Sequence, residues 1–216
     1  MAERDSVILV HGLWMNGMEM SVLRRRLQLE HDFEAQTFAY PTLHGDAVEI
    51  CRDLAETARA TARRGGRVHF VGHSLGGAIV YRALMECGDE VAGNTVLLAS
   101  PLNGSRAAES ASRFAMLRPL LGPHVLSELA QPSGRAWNRG GALGVIASSL
   151  RMGTGQFFAH FDEDNDGSVA VSETIIPGLH DHIVLPHSHM GMIFAPDVAA
   201  QIAHFLRNGC FERCRV

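Results

Sequence analysis

Short, unbroken apolar runs take turns along this chain with longer segments whose apolar residues recur every three or four positions. Residues 6–10, 94–100 and 143–148 are continuous apolar or β-branched stretches, the pattern of strands buried on both faces. Residues 33–40 alternate apolar and polar side chains and stop at Pro41, which predicts a strand closing into a loop through Gly45. Residues 68–73 and 182–185 complete a set of about six strands. Between them, residues 18–29 place Leu23, Leu27 and the methionines on one side and Arg24, Arg25 and Arg26 around the other, an amphipathic helix. Residues 46–64 repeat the pattern with Ala47, Ile50, Leu54 and Ala58 and end at Gly65-Gly66. A last helix is expected over residues 194–206, ending at Arg207-Asn208-Gly209. Strands alternating with helices imply a mostly parallel sheet and an α/β fold. Only residues 106–142, with Pro119, Pro123, Pro132 and several glycines, break the alternation, and they read as an insertion over the carboxyl ends of the strands.

Length and charge narrow the class. A chain of 216 residues fits one domain, which can bury roughly 70% of its unfolded surface. The balance of 19 basic and 23 acidic residues, a formal charge of −4, supplies neither a nucleic-acid footprint nor a polybasic membrane patch. Small neutral or apolar partners are expected instead. Cys51 and Cys87 fall in predicted helices, and Cys210 and Cys214 lie near the C-terminus without the spacing of a disulfide framework. The opening Met-Ala-Glu-Arg-Asp precedes an apolar run soon broken by His11 and Gly12, so neither a signal peptide nor an integral membrane segment is expected. Reduced thiols and a cytoplasmic location follow as expectations, although an export signal removed beforehand would leave the same sequence.

The chemistry concentrates after the third strand. Residues 68–80 pass from a β-branched and aromatic run through Gly72-His73-Ser74-Leu75-Gly76 into an apolar helical run. Strand, sharp turn and helix together fit the G-x-S-x-G nucleophile elbow, in which small flanking residues admit a strained backbone that lifts the Ser74 hydroxyl above the sheet. The helix then begins directly under Ser74, and the Leu75 N–H points where an oxyanion would form. A glycine-rich turn whose serine merely caps the helix is the plainer alternative.

Through Gly72-His73-Ser74-Leu75-Gly76-Gly77 the chain resembles the α/β-hydrolase family, specifically small bacterial lipases and esterases. That resemblance implies a three-layer fold around the central sheet, and the insertion at residues 106–142, by its place after a strand, reads as a lid. It further implies that His11-Gly12-Leu13-Trp14 is the oxyanion loop, with Leu13 supplying the second backbone N–H and His11 fixing the loop. The acid would be Asp166, which matches an Asp-Gly-x-Val turn. The base would be His189 and not His187, because His189-Met190-Gly191-Met192 fits the family's His-x-Gly-apolar run. Ser74, Asp166 and His189 then occur in the family's order, each just past a predicted strand. Trp14, Met15 and Met190 are expected to touch substrate, although filling core gaps is the commoner use of methionine. Leu117, Leu120, Leu121, Val125, Leu126, Leu129 and Trp137 could cover an acyl pocket or simply pack on the body.

The expected function is hydrolysis of small-molecule carboxylic esters or lipids through an acyl-enzyme on Ser74. An acyltransferase, thioesterase or amidase would use the same residues, and a non-catalytic binding protein on the same fold is the remaining alternative. No cofactor and no metal is expected. The pairs His180/His182 and His187/His189 lack the further ligands of a tetrahedral site. The run Asp162-x-Asp164-x-Asp166-Gly167 with Glu173 satisfies the EF-hand loop pattern, yet Asp166 cannot face both an ion and a histidine ring. Asp162, Asp164 and Glu173 are accordingly expected to be dispensable surface or turn residues.

Overall fold

The computed structural model describes residues 4–87, 91, 93–112, 134–152 and 161–213. β1 (Ser6–Val10) is buried at every position. Alternation along an extended chain sends Ile8 and Val10 to one core and Val7 and Leu9 to the other. The same division holds for β3 (Val68–His73), where Phe70 and Val71 face opposite cores, and for β4 (Thr95–Leu98) and β5 (Leu143–Ser148). With β2 (Glu34–Phe38) and β6 (Asp181–Leu185) these strands form one sheet in the order β2-β1-β3-β4-β5-β6. Every neighbouring pair is parallel.

Helices cover both faces, which makes three layers. On one side α2 (Ala47–Ala62) and α3 (Leu75–Cys87) pack Ile50, Leu54 and Ile79 against Ile8, Phe70 and Leu97. On the other, α1 (Ser21–Leu29) and the C-terminal helix Pro196–Asn208 set Leu23, Leu27, Ile202 and Phe205 against Val7, Val71 and Ile146. Each such large side chain taken wholly from water contributes about 1.5–3 kcal/mol. Local chemistry sets the helix ends. Asp46 caps α2 by accepting the N–H groups of Val48 and Glu49. The expected helix over residues 18–29 begins instead as a 3₁₀ turn, Met18–Met20, entered through Gly17 at φ 93°. The expected helix over 194–206 is α5 (Pro196–Asn208), with proline in its first turn and Gly209 ending it at φ 74°. Among the described residues no helix is long and apolar enough to cross a membrane.

Within the expected insertion, Arg106–Ser112 forms α4 and residues 134–142 lead back to β5. Trp137 is buried against Tyr81, with its indole N–H donated to Gly141 O at 3.0 Å, so this residue packs on the body. The expected lid leucines and Val125 lie outside the described residues, as does Cys214.

Parallel strands bring all their carboxyl ends to one edge. The segments that follow β1, β3, β5 and β6 meet there.

Candidate active site

The elbow is boxed in by backbone. A Cβ on Gly72 would lie 2.5 Å from Gly77 Cα, and one on Gly76 would lie 2.3 Å from His11 O. With α3 pressed so close to β3 and β1, the connecting residue must turn sharply, and Ser74 takes φ 53°. A left-handed conformation in a residue with a side chain costs of order 1–3 kcal/mol and persists only where the surroundings impose it. Here its N–H donates to Leu98 O at 2.9 Å and its carbonyl accepts from Gly77 N at 3.0 Å. Leu75 opens α3, so its N–H is among those left without an acceptor in the helix.

The loop after β1 passes directly beside this turn. A Cβ on Gly12 would stand 3.2 Å from Ser74 Cβ, which places the peptide leading to Leu13 next to the serine. His11 braces the loop from behind. The Tyr40 N–H donates to its Nε2 at 3.2 Å, so Nδ1 carries the proton and donates to Gly12 O at 3.0 Å. The Tyr40 hydroxyl donates to His11 O at 2.9 Å, and the two rings stack 4.5 Å apart. Burial pushes the His11 pKa down. Of the three expected substrate contacts, Trp14 and Met190 are exposed, while Met15 is buried with its sulfur accepting the Gly12 N–H at 3.2 Å.

The acid turn follows β5. Gly167 at φ 85° closes it, Asp166 N–H donates to Val169 O, and Asn165 pairs with Ala170. Asp166 is wholly buried there and is fully partnered. Oδ1 accepts the N–H groups of Ser168 and Val169 at 2.9 and 2.8 Å. Oδ2 accepts the Ser148 hydroxyl at 2.6 Å and faces His189 Nδ1 at 2.8 Å. Burial alone would raise the Asp166 pKa, but His189 and these donors outweigh it and hold the carboxyl below its usual range. With Nδ1 committed to Asp166, Nε2 is the remaining ring nitrogen of His189. His187 is directed elsewhere, pairing with the exposed Asp197 carboxylate at 2.8 Å.

Two residues of this cluster carry no role in the sequence reading. Ser148, the last residue of β5, donates to the acid, and His73, the last of β3, donates its Nε2–H to His189 O at 2.9 Å. Their positions at carboxyl ends of strands are the only signal available in the sequence.

One expectation needs correcting. Glu173 is no dispensable surface residue: it is buried and accepts the N–H groups of Ala170 and Arg106. The Arg106 side chain then reaches Glu173 at 2.9 Å and Glu163 at 2.6 Å. Carboxylate spacing suggested a cation loop, but the cation facing Glu173 is an arginine 67 residues away in sequence. The histidine pair is likewise spoken for, with His180 accepting the Leu143 N–H and His182 hydrogen-bonded to Thr174. Among the described residues no group of three or more His, Cys, Asp or Glu is disposed to hold a metal.

The same fold recurs in solved structures of low sequence identity. A lipase from Bacillus licheniformis, BlEst2 in its mature form, is similar at a TM-score of 0.73 and 17% identity, over 97% of this chain and 93% of that one. The phospholipase PlaB from Legionella pneumophila is similar at a TM-score of 0.71 and 16% identity, over 94% of this chain but only 60% of the phospholipase. The pyrethroid hydrolase PytH is similar at a TM-score of 0.61 and 17% identity, over 95% of this chain and 99% of that one. No curated protein matches in sequence. The sequence profile of the alpha/beta hydrolase family matches residues 7–204, nearly the whole chain, and the protein belongs to that family.

Proposed function

We propose that the protein hydrolyses carboxylic esters through an acyl-enzyme on Ser74. The observation that carries this reading is the 2.8 Å contact between His189 Nδ1 and the buried Asp166 carboxylate, on the sheet edge where Ser74 turns at φ 53°. A serine hydroxyl is a weak nucleophile at neutral pH and needs an imidazole to take its proton. In the proposed sequence His189 Nε2 takes the Ser74 proton as Oγ bonds to the ester carbonyl carbon. The carbonyl oxygen gains the negative charge and is met by the Leu13 and Leu75 N–H groups. Asp166 holds the imidazole in the required tautomer and stabilises the imidazolium. Collapse breaks the ester C–O bond, and His189 returns the proton to the departing alcohol. Water, deprotonated by the same nitrogen, then attacks the acyl carbon, the bond from that carbon to Ser74 Oγ breaks, and His189 returns the proton to Oγ as the acid leaves.

The exposed Trp14 and Met190 suit an apolar acyl group. Neighbours described as a lipase and a phospholipase favour the same substrate class.

The test is a fluorophosphonate probe with p-nitrophenyl esters of short and long acyl chains. Wild type should incorporate one probe per chain and release nitrophenol, and Ser74→Ala should do neither. Equal labelling of the variant would refute the assignment.

A further inference from the structure

His73 lies between Gly72 and Ser74 yet belongs to neither the nucleophile nor the glycine box. Its side chain is buried on the last position of β3, and its ring lies 4.9 Å from that of His189, tilted by 48°. Since a carbonyl can only accept, the 2.9 Å contact with His189 O fixes the proton on Nε2. Nδ1 is therefore a bare lone pair. It is buried, it meets no hydrogen-bond partner among the described residues, and it faces the position where a Gly12 Cβ would stand, 3.1 Å away. Leaving such a group unsatisfied costs about 1–3 kcal/mol, so an apolar residue of similar size would be the more stable choice unless the Nε2–H has work to do.

That work is visible in the anchoring of the base. The His189 ring is tied to the acid turn after β5, while the main chain leading up to it is held through the carbonyls of His187 and Ser188. His73 ties that main chain to β3, one residue before the nucleophile. We propose that His73 is a positioning residue: its hydrogen bond to the His189 carbonyl holds the base in register with Ser74. The inference rests on the ester-hydrolysis reading for its consequence in rate, not for the contact itself.

A neutral ring is needed in that place, because an imidazolium 4.9 Å from His189 would oppose the charge that forms there during acylation. Burial, and after it the neighbouring His189 ring, push the His73 pKa down to about 3 against the upward pull of the bond to the His189 carbonyl and of Asp166, and His11 adds to the downward side. A rigid aromatic donor also keeps the span fixed. A 1 Å misplacement of a reacting group can cost ~10²-fold in rate.

Three substitutions test this in the full chain. His73→Gln places an amide N–H near the original Nε2, His73→Asn keeps an amide but falls short of His189 O, and His73→Leu keeps bulk alone. His73→Leu and His73→Asn should lower kcat by ~10-fold or more with KM within about twofold and a displaced acid limb of the kcat/KM profile, and His73→Gln should restore most of the loss. Wild-type kcat and pH profile in His73→Leu and His73→Asn would overturn the proposal, as would a His73→Gln variant no better than His73→Leu at equal Tm. A second readout does not depend on turnover. Histidine-selective ¹⁵N spectra of the wild type should show His73 neutral with its proton on Nε2 from pH 5 to 8; a neutral ring with its proton on Nδ1 would defeat the contact, and titration in that range would defeat the neutral ring. If no ester turns over and no probe binds, the functional reading fails while these spectra still decide the anchoring.

Discussion

Asp166 Oδ2 is shared by the Ser148 hydroxyl and His189 Nδ1, on the sheet edge where Ser74 turns. Ser74→Ala and His189→Ala should each lower ester turnover by up to ~10⁶-fold, and Asp166→Asn by ~10⁴-fold, measured on purified protein with unchanged circular dichroism. His187→Ala is the internal control. Its imidazole pairs with the exposed Asp197, so its loss should leave turnover within about twofold, as expected of a surface substitution. If His187 proved essential and His189 did not, the histidine assignment would be reversed. Ser148 donates at 2.6 Å to the oxygen of Asp166 that also faces His189. Removing a hydrogen bond to a charged group costs about 1.5–3 kcal/mol, so Ser148→Ala should lower the urea midpoint accordingly, and an unchanged midpoint would show that the acid holds its place without it.

At the scale of elements, the acid turn is strapped to the start of α4. Arg106 bridges Glu163 and the buried Glu173, and Glu173 also satisfies two backbone N–H groups. Glu173→Ala would strand those donors, which should cost about 1–3 kcal/mol in denaturant unfolding. The guanidinium is half in solvent, which screens the ion-pair part of that loss. Exposed Asp164, on the same turn, should be replaceable by alanine within about 0.5 kcal/mol. Calcium should shift neither midpoint, and a calcium-dependent rise lost in Glu173→Ala would restore the cation-loop reading. The elbow behaves differently, since its neighbours are backbone that cannot move aside. Gly76→Ala would drive a methyl group into His11 O and should prevent folding, whereas Gly12→Val meets mainly side chains and should fold with reduced turnover.

The whole molecule carries a pH signature. His11, His69, His73 and His182 all have pKa values lowered from 6.5, in each case first by burial. As pH falls, the unfolded chain therefore takes up protons before the folded one does, so stability is fully present above about 6.5 and is lost on acidification, for His73 continuing down to about 3. Asp166 and Asp181 add to the same trend lower down, because their depressed values contribute stability that disappears as pH drops below 3.8. Tm should thus decline steadily from pH 7 to pH 4, and less steeply in His73→Gln. A Tm that stayed level between pH 7 and pH 5 would mean that the histidines reach water in the folded state.

Sequence alone determined what short-range chemistry controls. Apolar runs marked the inner strands β1, β3, β4 and β5 because a strand buried on both faces must be apolar at nearly every position, whereas the edge strand β2 showed itself by alternation. The elbow was legible because its glycines and serine are contiguous, and Asp166 and His189 were singled out because each lies in a short turn of recognisable pattern. Tertiary structure alone decided which partners those turns meet. His73 could be quoted within the elbow but not assigned, since its partner is a backbone carbonyl 116 positions away. Ser148 looked like any strand end until the acid turn folded over it. Glu173 sat in a metal-loop spacing, and only the fold placed Arg106 against it. Local pattern fixes backbone shape within a few residues, whereas the identity of a buried side chain's partner depends on how distant segments are stacked, which no local spacing encodes.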